Sequence, residues 1–193
     1  MGPVALKLEE RFTYGDYLTW DDDERWELID GVPYNMSPAP RRLHQLALAD
    51  LVRQFTVFLQ DKPCQVYPAP FDVRLPEADE HNDLVDTVVQ PDLSVICDRG
   101  KLDDAGCRGA PDLIIEILSP GTAGKDLKVK FSRYERAGVR EYWIVDPLGK
   151  TVQVYCLGLN GCYGRPAVYD QTDRPRVGIF PDLEIELAAV FAD

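Results

Sequence analysis

The sequence lacks a long hydrophobic run and contains only two histidines, and each shortage excludes a class of protein. No apolar run approaches the roughly 18 residues of a membrane-spanning helix. The N-terminal segment MGPVALKLEE becomes charged too early for a secretory signal, so we expect a cytoplasmic protein with no membrane association. His44 and His81 form no H-E-x-x-H motif, which argues against a zinc hydrolase.

Cysteine pairs with metal-binding or redox spacing are also absent. The five cysteines are odd in number, and no C-x-x-C pair occurs among them. We therefore expect reduced thiols that fill the core or lie at the surface. These cysteines are Cys64, Cys97, Cys107, Cys156 and Cys162.

Positive charge is scarce in this chain. Lys and Arg number 21 against 33 Asp and Glu, which gives a net charge of −12 at pH 7. A protein with this balance does not coat nucleic acid through a general positive surface. Residues 125–140 are an exception, with six bases against two acids. Any contact with nucleic acid is therefore expected to be local.

The composition is that of a folded protein, with 45% apolar and 28% charged residues. No internal repeat or low-complexity linker divides the chain. We therefore predict a single domain over residues 1–193. Its expected parts are an N-terminal helix and hairpin in residues 1–40, a core in residues 41–147 and C-terminal strands in residues 148–193.

Local signals near the N-terminus predict a short helix followed by a hairpin. Thr13 is positioned to cap a helix that ends near Trp20. The dipeptide Asp30-Gly31 is typical of the tight turn between two antiparallel strands.

The rest of the chain predicts an α/β (α+β) fold, with helices on the faces of a mixed β-sheet. Apolar residues at helical spacing indicate a long helix over residues 41–60, and a second helix is expected over residues 125–137, ending at Gly138. Strands are predicted in residues 65–75, 88–97, 112–118, 141–146 and 151–156.

Two carboxylates lie within apolar predicted strands. Asp92 occurs in the 88–97 segment and Glu116 in the next one, and a buried charge without a partner would be strongly unfavourable. Acids on successive strands can share a divalent cation such as Mg²⁺, which takes one or two carboxylates together with waters. The alternative is that each acid pairs with a base or accepts from a backbone N–H.

Lys130 provides a cation near these acids. On the second predicted helix it lies at the edge of the apolar stripe, so its ammonium can reach the two carboxylates. The alternative is that the side chain extends to solvent. Lys128 and Arg136 project away from the stripe, toward solvent or a phosphate. The stripe consists of Leu127, Phe131 and Tyr134.

Short motifs surround these residues along the chain. They are WELIDG at 26–31, His44, QPDL at 90–93, PDLIIEILSP at 111–120, Asp126 with Lys130 and Tyr134, and AGVREYWIVDP at 137–147. Together they resemble the PD-(D/E)XK nuclease superfamily and, within it, the bacterial Uma-type family of restriction endonucleases, long described as a domain of unknown function. The resemblance covers about residues 12–190, and its most specific part is the block 111–147.

The resemblance implies a restriction-endonuclease-like fold and a metal site. It implies that Asp92 and Glu116, with the backbone carbonyl of Ile117, bind Mg²⁺ or Mn²⁺. Lys130 would orient or polarise the attacking water. The chain departs from the superfamily pattern at Leu118, where the motif lysine would stand, so Lys130 would have to act from the helix.

Four further residues match family positions. The resemblance implies that Glu27 is an extra metal ligand or an anchor for the hairpin, and that His44 contacts a phosphate or caps its helix. Asp112 and Asp126 also match, and we expect them to support the structure around the site.

The implied activity is metal-dependent hydrolysis of DNA phosphodiester bonds, with DNA as the partner. Cleavage of both strands would favour a homodimer. A different hypothesis is a catalytically inactive module of the same fold that binds nucleic acid or a protein partner. A third is hydrolysis of a small phosphate ester.

Overall fold

The computed structural model describes residues 10–21, 24–36, 41–119 and 126–192. Its helices are α1 (Tyr14–Tyr17), α2 (Arg42–Leu59), α3 (Phe131–Ala137) and α4 (Leu187–Val190), with a π-helical turn at Asp126–Lys130 directly before α3. Short 3₁₀ turns occur at Asn82–Leu84 and Arg99–Lys101.

The strands are numbered in chain order. They are β1 (Trp26–Ile29), β2 (Val32–Asn35), β3 (Gln65–Pro68), β4 (Val73–Arg74), β5 (Val88–Val89), β6 (Leu93–Ile96), β7 (Leu102–Asp103), β8 (Gly106–Arg108), β9 (Leu113–Ile117), β10 (Glu141–Asp146), β11 (Thr151–Cys156), β12 (Ala167–Asp170), β13 (Arg176–Val177) and β14 (Phe180–Glu184).

Most of these strands form two six-stranded sheets within the described ranges. The first sheet has the order β2-β1-β5-β4-β8-β7, and the second has the order β12-β11-β10-β9-β6-β3. Each contains one parallel pair, β4 with β8 and β9 with β10, among antiparallel neighbours. The predicted mixed α+β class is confirmed, although the strands are divided between two sheets.

The division falls at two prolines. The predicted strand 65–75 contributes β3 to the second sheet and β4 to the first, and the predicted strand 88–97 contributes β5 to the first and β6 to the second. Pro70 and Pro91 lie in these breaks, and proline interrupts a strand because it has no N–H to donate. At each of these two prolines the chain therefore crosses from one sheet to the other.

The Thr13 cap and the hairpin predicted near the N-terminus are confirmed, but α1 ends at Tyr17 and not near Trp20. Thr13 and Asp16 form a reciprocal capping box at α1. Asp30 and Gly31 both have positive φ, at 50° and 75°, and join β1 to β2 in a hairpin.

The two long predicted helices are also found. Helix α2 matches the predicted range 41–60 closely and buries the face formed by His44, Ala47, Leu51, Phe55 and Leu59. The second helix continues from the π-helical turn through α3 and ends at Gly138, as predicted. Lys125, in the first part of the predicted range, lies outside the described residues.

The second sheet has a different core on each face. Leu113 and Ile115 of β9 pack in the cluster that contains Leu51 and Phe55 of α2. Ile114 packs in the opposite cluster with Tyr134 of α3. Because side chains alternate along a strand, Glu116 belongs to the face of Ile114 and is directed toward α3.

The expectation of reduced cysteines is wrong for one pair. Cys64 and Cys97 form a disulfide, whereas Cys107, Cys156 and Cys162 are free. The register of β3 and β6 pairs Gln65 with Ile96, which places the two cysteines opposite each other at the next position. Their separation of 33 residues in sequence carries no spacing signal that would reveal this pairing.

Across the ranges that the model describes, no helix combines the length and the apolar character that crossing a membrane requires.

Candidate active site

Asp92 lies at the crossing between the two sheets. It comes between β5 and β6, so the expectation that it sits inside a continuous strand is wrong, and Pro91 is the physical reason. Its Oδ1 is 3.1 Å from Nε2 of His44, and its Oδ2 accepts a hydrogen bond of 2.7 Å from the backbone N–H of Ile117. These contacts fix the carboxylate beside the end of β9, where Glu116 is located.

Glu116 receives two hydrogen bonds on one oxygen. Its Oε1 accepts from Lys130 Nζ at 3.0 Å and from the hydroxyl of Tyr134 at 2.7 Å. Lys130 and Tyr134 are four residues apart in helical structure, which puts both donors on one face. Burial, followed by the charges of Glu116 and Glu27, raises the pKa of Tyr134 well above its usual value, so the hydroxyl keeps its proton and donates.

Lys130 is buried between two carboxylates. Its side chain is only 4% exposed, so it does not extend to solvent. Nζ lies 2.8 Å from Glu27 Oε1, in addition to its contact with Glu116. Glu27 belongs to β1 in the first sheet and Glu116 to β9 in the second, so this ammonium links the two sheets by charge-assisted hydrogen bonds.

Glu27 is held in place by the backbone. Its Oε1 accepts a 2.9 Å hydrogen bond from the N–H of Gln90, two residues before Asp92. This contact agrees with the expectation that Glu27 anchors the hairpin. Through its ion pair, Glu27 also positions Lys130.

The site carries more negative than positive charge. Within the described part of the chain, Glu116 and Glu27 contact Lys130, and Asp92 contacts His44. Burying several carboxylates against one ammonium is unfavourable unless a further cation or donor contributes. Here Tyr134 donates to Glu116, the N–H of Gln90 to Glu27 and the N–H of Ile117 to Asp92. These contacts agree with the alternative that each acid pairs with a base or accepts from a backbone N–H.

The donor set fits Mg²⁺ or Mn²⁺ better than a softer metal. Among the described residues, no group of three or more His, Cys, Asp or Glu side chains is arranged to hold a metal ion. Asp92 and Glu116 offer hard carboxylate oxygens, each with more than one lone pair, and Mg²⁺ is typically held by one or two carboxylates plus waters. The Ile117 N–H donates to Asp92, so the backbone between Glu116 and Ile117 lies beside that carboxylate.

The structure brings together all the sequence-predicted site residues. Lys130 contacts Glu27 and Glu116, His44 contacts Asp92, and the backbone N–H of Ile117, next to Glu116, donates to Asp92 and so brings the two groups together. Gln90 and Tyr134 also contact the site, although neither was expected to take part in it and both fall within the motifs given above. Their positions in the sequence could have indicated a role in the site, because Gln90 directly precedes Pro91-Asp92 and Tyr134 follows Lys130 by one helical turn.

The two supporting acids differ in what the structure describes. Asp112 accepts from the N–H of Cys97 at 2.8 Å and pairs with Arg140 at 3.2 Å, so it joins β6 to the start of β10. The side chains of Asp126 and Leu127 lie outside the described residues.

Several basic side chains of residues 125–140 are paired with other groups of the protein. Arg133 is buried and donates to Thr87 and to the carbonyl of Leu75. Arg136, expected to project toward solvent or a phosphate, is about half exposed and pairs with Asp30 and Glu77. The acids come from distant loops that tertiary folding brings to the helix, which is why the sequence window did not show them. Lys128 is exposed, as expected.

The fold has a solved counterpart. The crystal structure titled "a putative nuclease belonging to DUF820" from Anabaena variabilis superposes with a TM-score of 0.73, covering 93% of this chain and 97% of the other, at 20% sequence identity. This likeness establishes that the two proteins share a fold.

The family follows from the sequence match. The model of the Uma2 family, described as "Putative restriction endonuclease", matches residues 14–189, and the chain belongs to this family. The resemblance identified from the motifs is thereby confirmed. An uncharacterized protein of Synechocystis sp. is 24% identical over 143 residues, which cover 72% of this chain and 71% of that protein.

Proposed function

We propose that this protein is a metal-dependent endonuclease that hydrolyses phosphodiester bonds of DNA. The observation that carries the proposal is the buried Lys130 ammonium, held between Glu27 and Glu116 beside the Asp92–His44 pair. Membership of a family described as restriction endonucleases supports the same activity.

The acids supply the ligands for Mg²⁺ or Mn²⁺ in this proposal. Asp92 and Glu116, with the backbone carbonyl of Ile117, would hold the ion. When bound, such an ion supplies positive charge to a phosphoryl oxygen and lowers the pKa of a coordinated water. His44 orients Asp92 through its Nε2 contact, and the Ile117 N–H holds the other oxygen of that carboxylate.

Lys130 takes the role that the superfamily assigns to a strand lysine. Leu118 stands at the strand position and has no charge, whereas Lys130 brings its ammonium to the same carboxylate from the helix side. A preorganised ammonium stabilises negative charge that develops on the phosphate during attack by water. Glu27 holds the Lys130 side chain in position.

DNA is the proposed substrate, and the cytoplasm is the proposed location. If both strands are cut, two copies related by a two-fold axis would present one site to each strand.

The test combines metal binding with plasmid cleavage. Mg²⁺ and Mn²⁺ are titrated by calorimetry into the wild type and the Asp92→Ala, Glu116→Ala double variant, and supercoiled plasmid is incubated with the same samples. We expect metal binding and cleavage in the wild type and loss of both in the double variant. A double replacement of exposed acids, Asp79→Ala with Asp182→Ala, is the control and should behave as the wild type.

A wild type that binds neither ion, or a double variant that still cuts, would refute the proposal. Folding of each variant is checked by circular dichroism, so that loss of structure is separated from loss of the site.

A second candidate is a nuclease-fold module that binds nucleic acid without cutting it. Leu118 at the motif lysine position and the internal pairing of Arg136 favour this function. Its expected signature is DNA binding that weakens steeply with salt and no cleavage with any divalent ion.

A further inference from the structure

A cavity of about 290 Å³ lies where the chain crosses between the two sheets. Gln90 lines this cavity with its side chain, while its backbone N–H holds Glu27 of the candidate active site. One residue therefore belongs to both the cavity wall and the support of the site. The cavity is near the lower end of the sizes of small-ligand pockets, roughly 300–1,000 Å³.

The polar groups of the inner wall are ordered by hydrogen bonds. Gln90 Nε2 donates to Asp72 Oδ1 at 2.8 Å and lies 3.3 Å from the hydroxyl of Tyr17, and its Oε1 accepts from Arg25. These contacts fix the direction of the Asp72 carboxylate. Burial raises the pKa of Asp72, and the hydrogen bonds from Gln90 and Tyr17 act in the opposite direction.

The opposite wall is a rigid turn between β7 and β8. Asp103 pairs with Arg74 at 2.5 Å and accepts from the N–H of Ala105 at 2.9 Å. Gly106 has a φ of 127°, and a Cβ there would be 2.2 Å from the carbonyl oxygen of Asp72, so only glycine allows this approach. The turn is thereby held against Asp72 at a fixed distance.

The lining combines acceptors with an aromatic ring. Asp72, Asp103 and Asp104 contribute carboxylates, and the lining includes no Lys or Arg. Phe71 also lines the cavity and stacks on Tyr67, with ring centroids 4.3 Å apart. A phosphate would be repelled here, whereas a flat group that carries N–H donors would find both acceptors and a ring face.

We infer that this cavity binds the amino-bearing edge of a nucleobase of the DNA substrate, with Asp72 accepting from the exocyclic amino group. This inference rests on the proposed nuclease function and adds base preference to it. Carboxylate side chains accept from the N4 amino group of cytosine in direct base recognition, and thymine has no exocyclic amino group to donate. The cavity therefore disfavours thymine at one position near the cut.

The experiment sequences the ends of fragments cut from a pool of random-sequence duplex DNA in the presence of Mg²⁺ or Mn²⁺. We expect the wild type to show about tenfold depletion of thymine at one fixed position relative to the cut. Asp72→Asn should reduce that depletion at least severalfold, because an amide offers a donor where the carboxylate had only acceptors. The control Asp79→Asn removes an exposed acid outside the cavity and should keep the wild-type pattern.

A second variant tests the cavity without altering its polar network. Ala105→Trp places a large side chain from the exposed turn into the opening and should also abolish the base preference. If the wild type cuts with no preference among bases, or if both variants keep the wild-type pattern, the inference is refuted while the nuclease function stands. If the wild type does not cut at all, the proposed function fails and the inference fails with it.

Discussion

Lys130 Nζ lies 2.8 Å from Glu27 Oε1, an ion pair that joins the first hairpin to the turn before α3. Both side chains are almost fully buried, at 4% and 7% exposure. Buried ion pairs tolerate the loss of one partner poorly, because the remaining charge is left without compensation in a low-dielectric environment. The site is therefore part of the structural connection between the two sheets as well as a candidate for chemistry.

Removing the ammonium is expected to destabilise the fold. Lys130→Met leaves Glu27 and Glu116 facing each other, and we expect the free energy of unfolding to fall by about 3–5 kcal/mol. Urea denaturation measures the change. Lys128→Met, at an exposed position of the same turn, should change it by less than about 0.5 kcal/mol. Equal stability of the two variants would show that the buried pair contributes nothing.

The Tyr134 hydroxyl should make stability depend on alkaline pH. The folded-state pKa of Tyr134 is raised above the unfolded value near 10, so only the unfolded state loses this proton as the pH rises past 10. The contribution of Tyr134 to the free energy of unfolding is fully present below pH 10, and above pH 10 it falls by up to about 1.4 kcal/mol per pH unit. Tyr134→Phe should remove this part of the slope between pH 10 and 11 in denaturation curves, and an unchanged slope would contradict the assignment.

The same variant should also be less stable at neutral pH. Replacing Tyr134 by Phe removes one of the two donors to Glu116 Oε1. Because the buried Glu116 carboxylate loses a hydrogen bond, we expect the free energy of unfolding to fall by about 1–3 kcal/mol. Calorimetric titration of Mn²⁺ into the folded variant tests whether the orientation of Glu116 matters for the metal, with a weaker affinity expected.

The disulfide can be checked by thiol counting. Unfolded protein without reductant should show three reactive thiols, and five after reduction, because Cys64 and Cys97 are joined. The Cys64→Ser, Cys97→Ser variant should lose about 2–4 kcal/mol of unfolding free energy, since a closed loop of this length restricts the unfolded chain. Five reactive thiols before reduction would show that the pair is reduced in solution.

Two basic residues of the 125–140 segment should differ in DNA binding. Arg136 already pairs with Asp30 and Glu77, so Arg136→Gln should leave the salt dependence of DNA affinity unchanged. Lys128 is exposed, and Lys128→Gln should reduce the slope of log affinity against log salt by about 0.9 if it contacts one phosphate. Fluorescence anisotropy with a labelled duplex in Ca²⁺ provides the measurement, and the reverse order of effects would refute the assignment.

Features specified by neighbouring residues could be predicted. Helical periodicity located α2 and the edge position of Lys130, a mostly apolar run located the strand that bears Glu116, and the Asp30-Gly31 dipeptide located the hairpin. Each of these depends on the 3.6-residue repeat, on a short apolar run, or on the backbone preference of a short turn, and those are properties of a few adjacent residues.

Features that depend on partners distant in sequence were decided by the tertiary structure. The pairing of Cys64 with Cys97 required the register of β3 on β6, and the pairing of Arg136 with Asp30 and Glu77 required the two sheets to be assembled. The amino-acid sequence alone identified the acids, the lysine and the elements that carry them. Their arrangement into one site came from long-range strand register and from the need of buried charges for partners, neither of which a local pattern encodes.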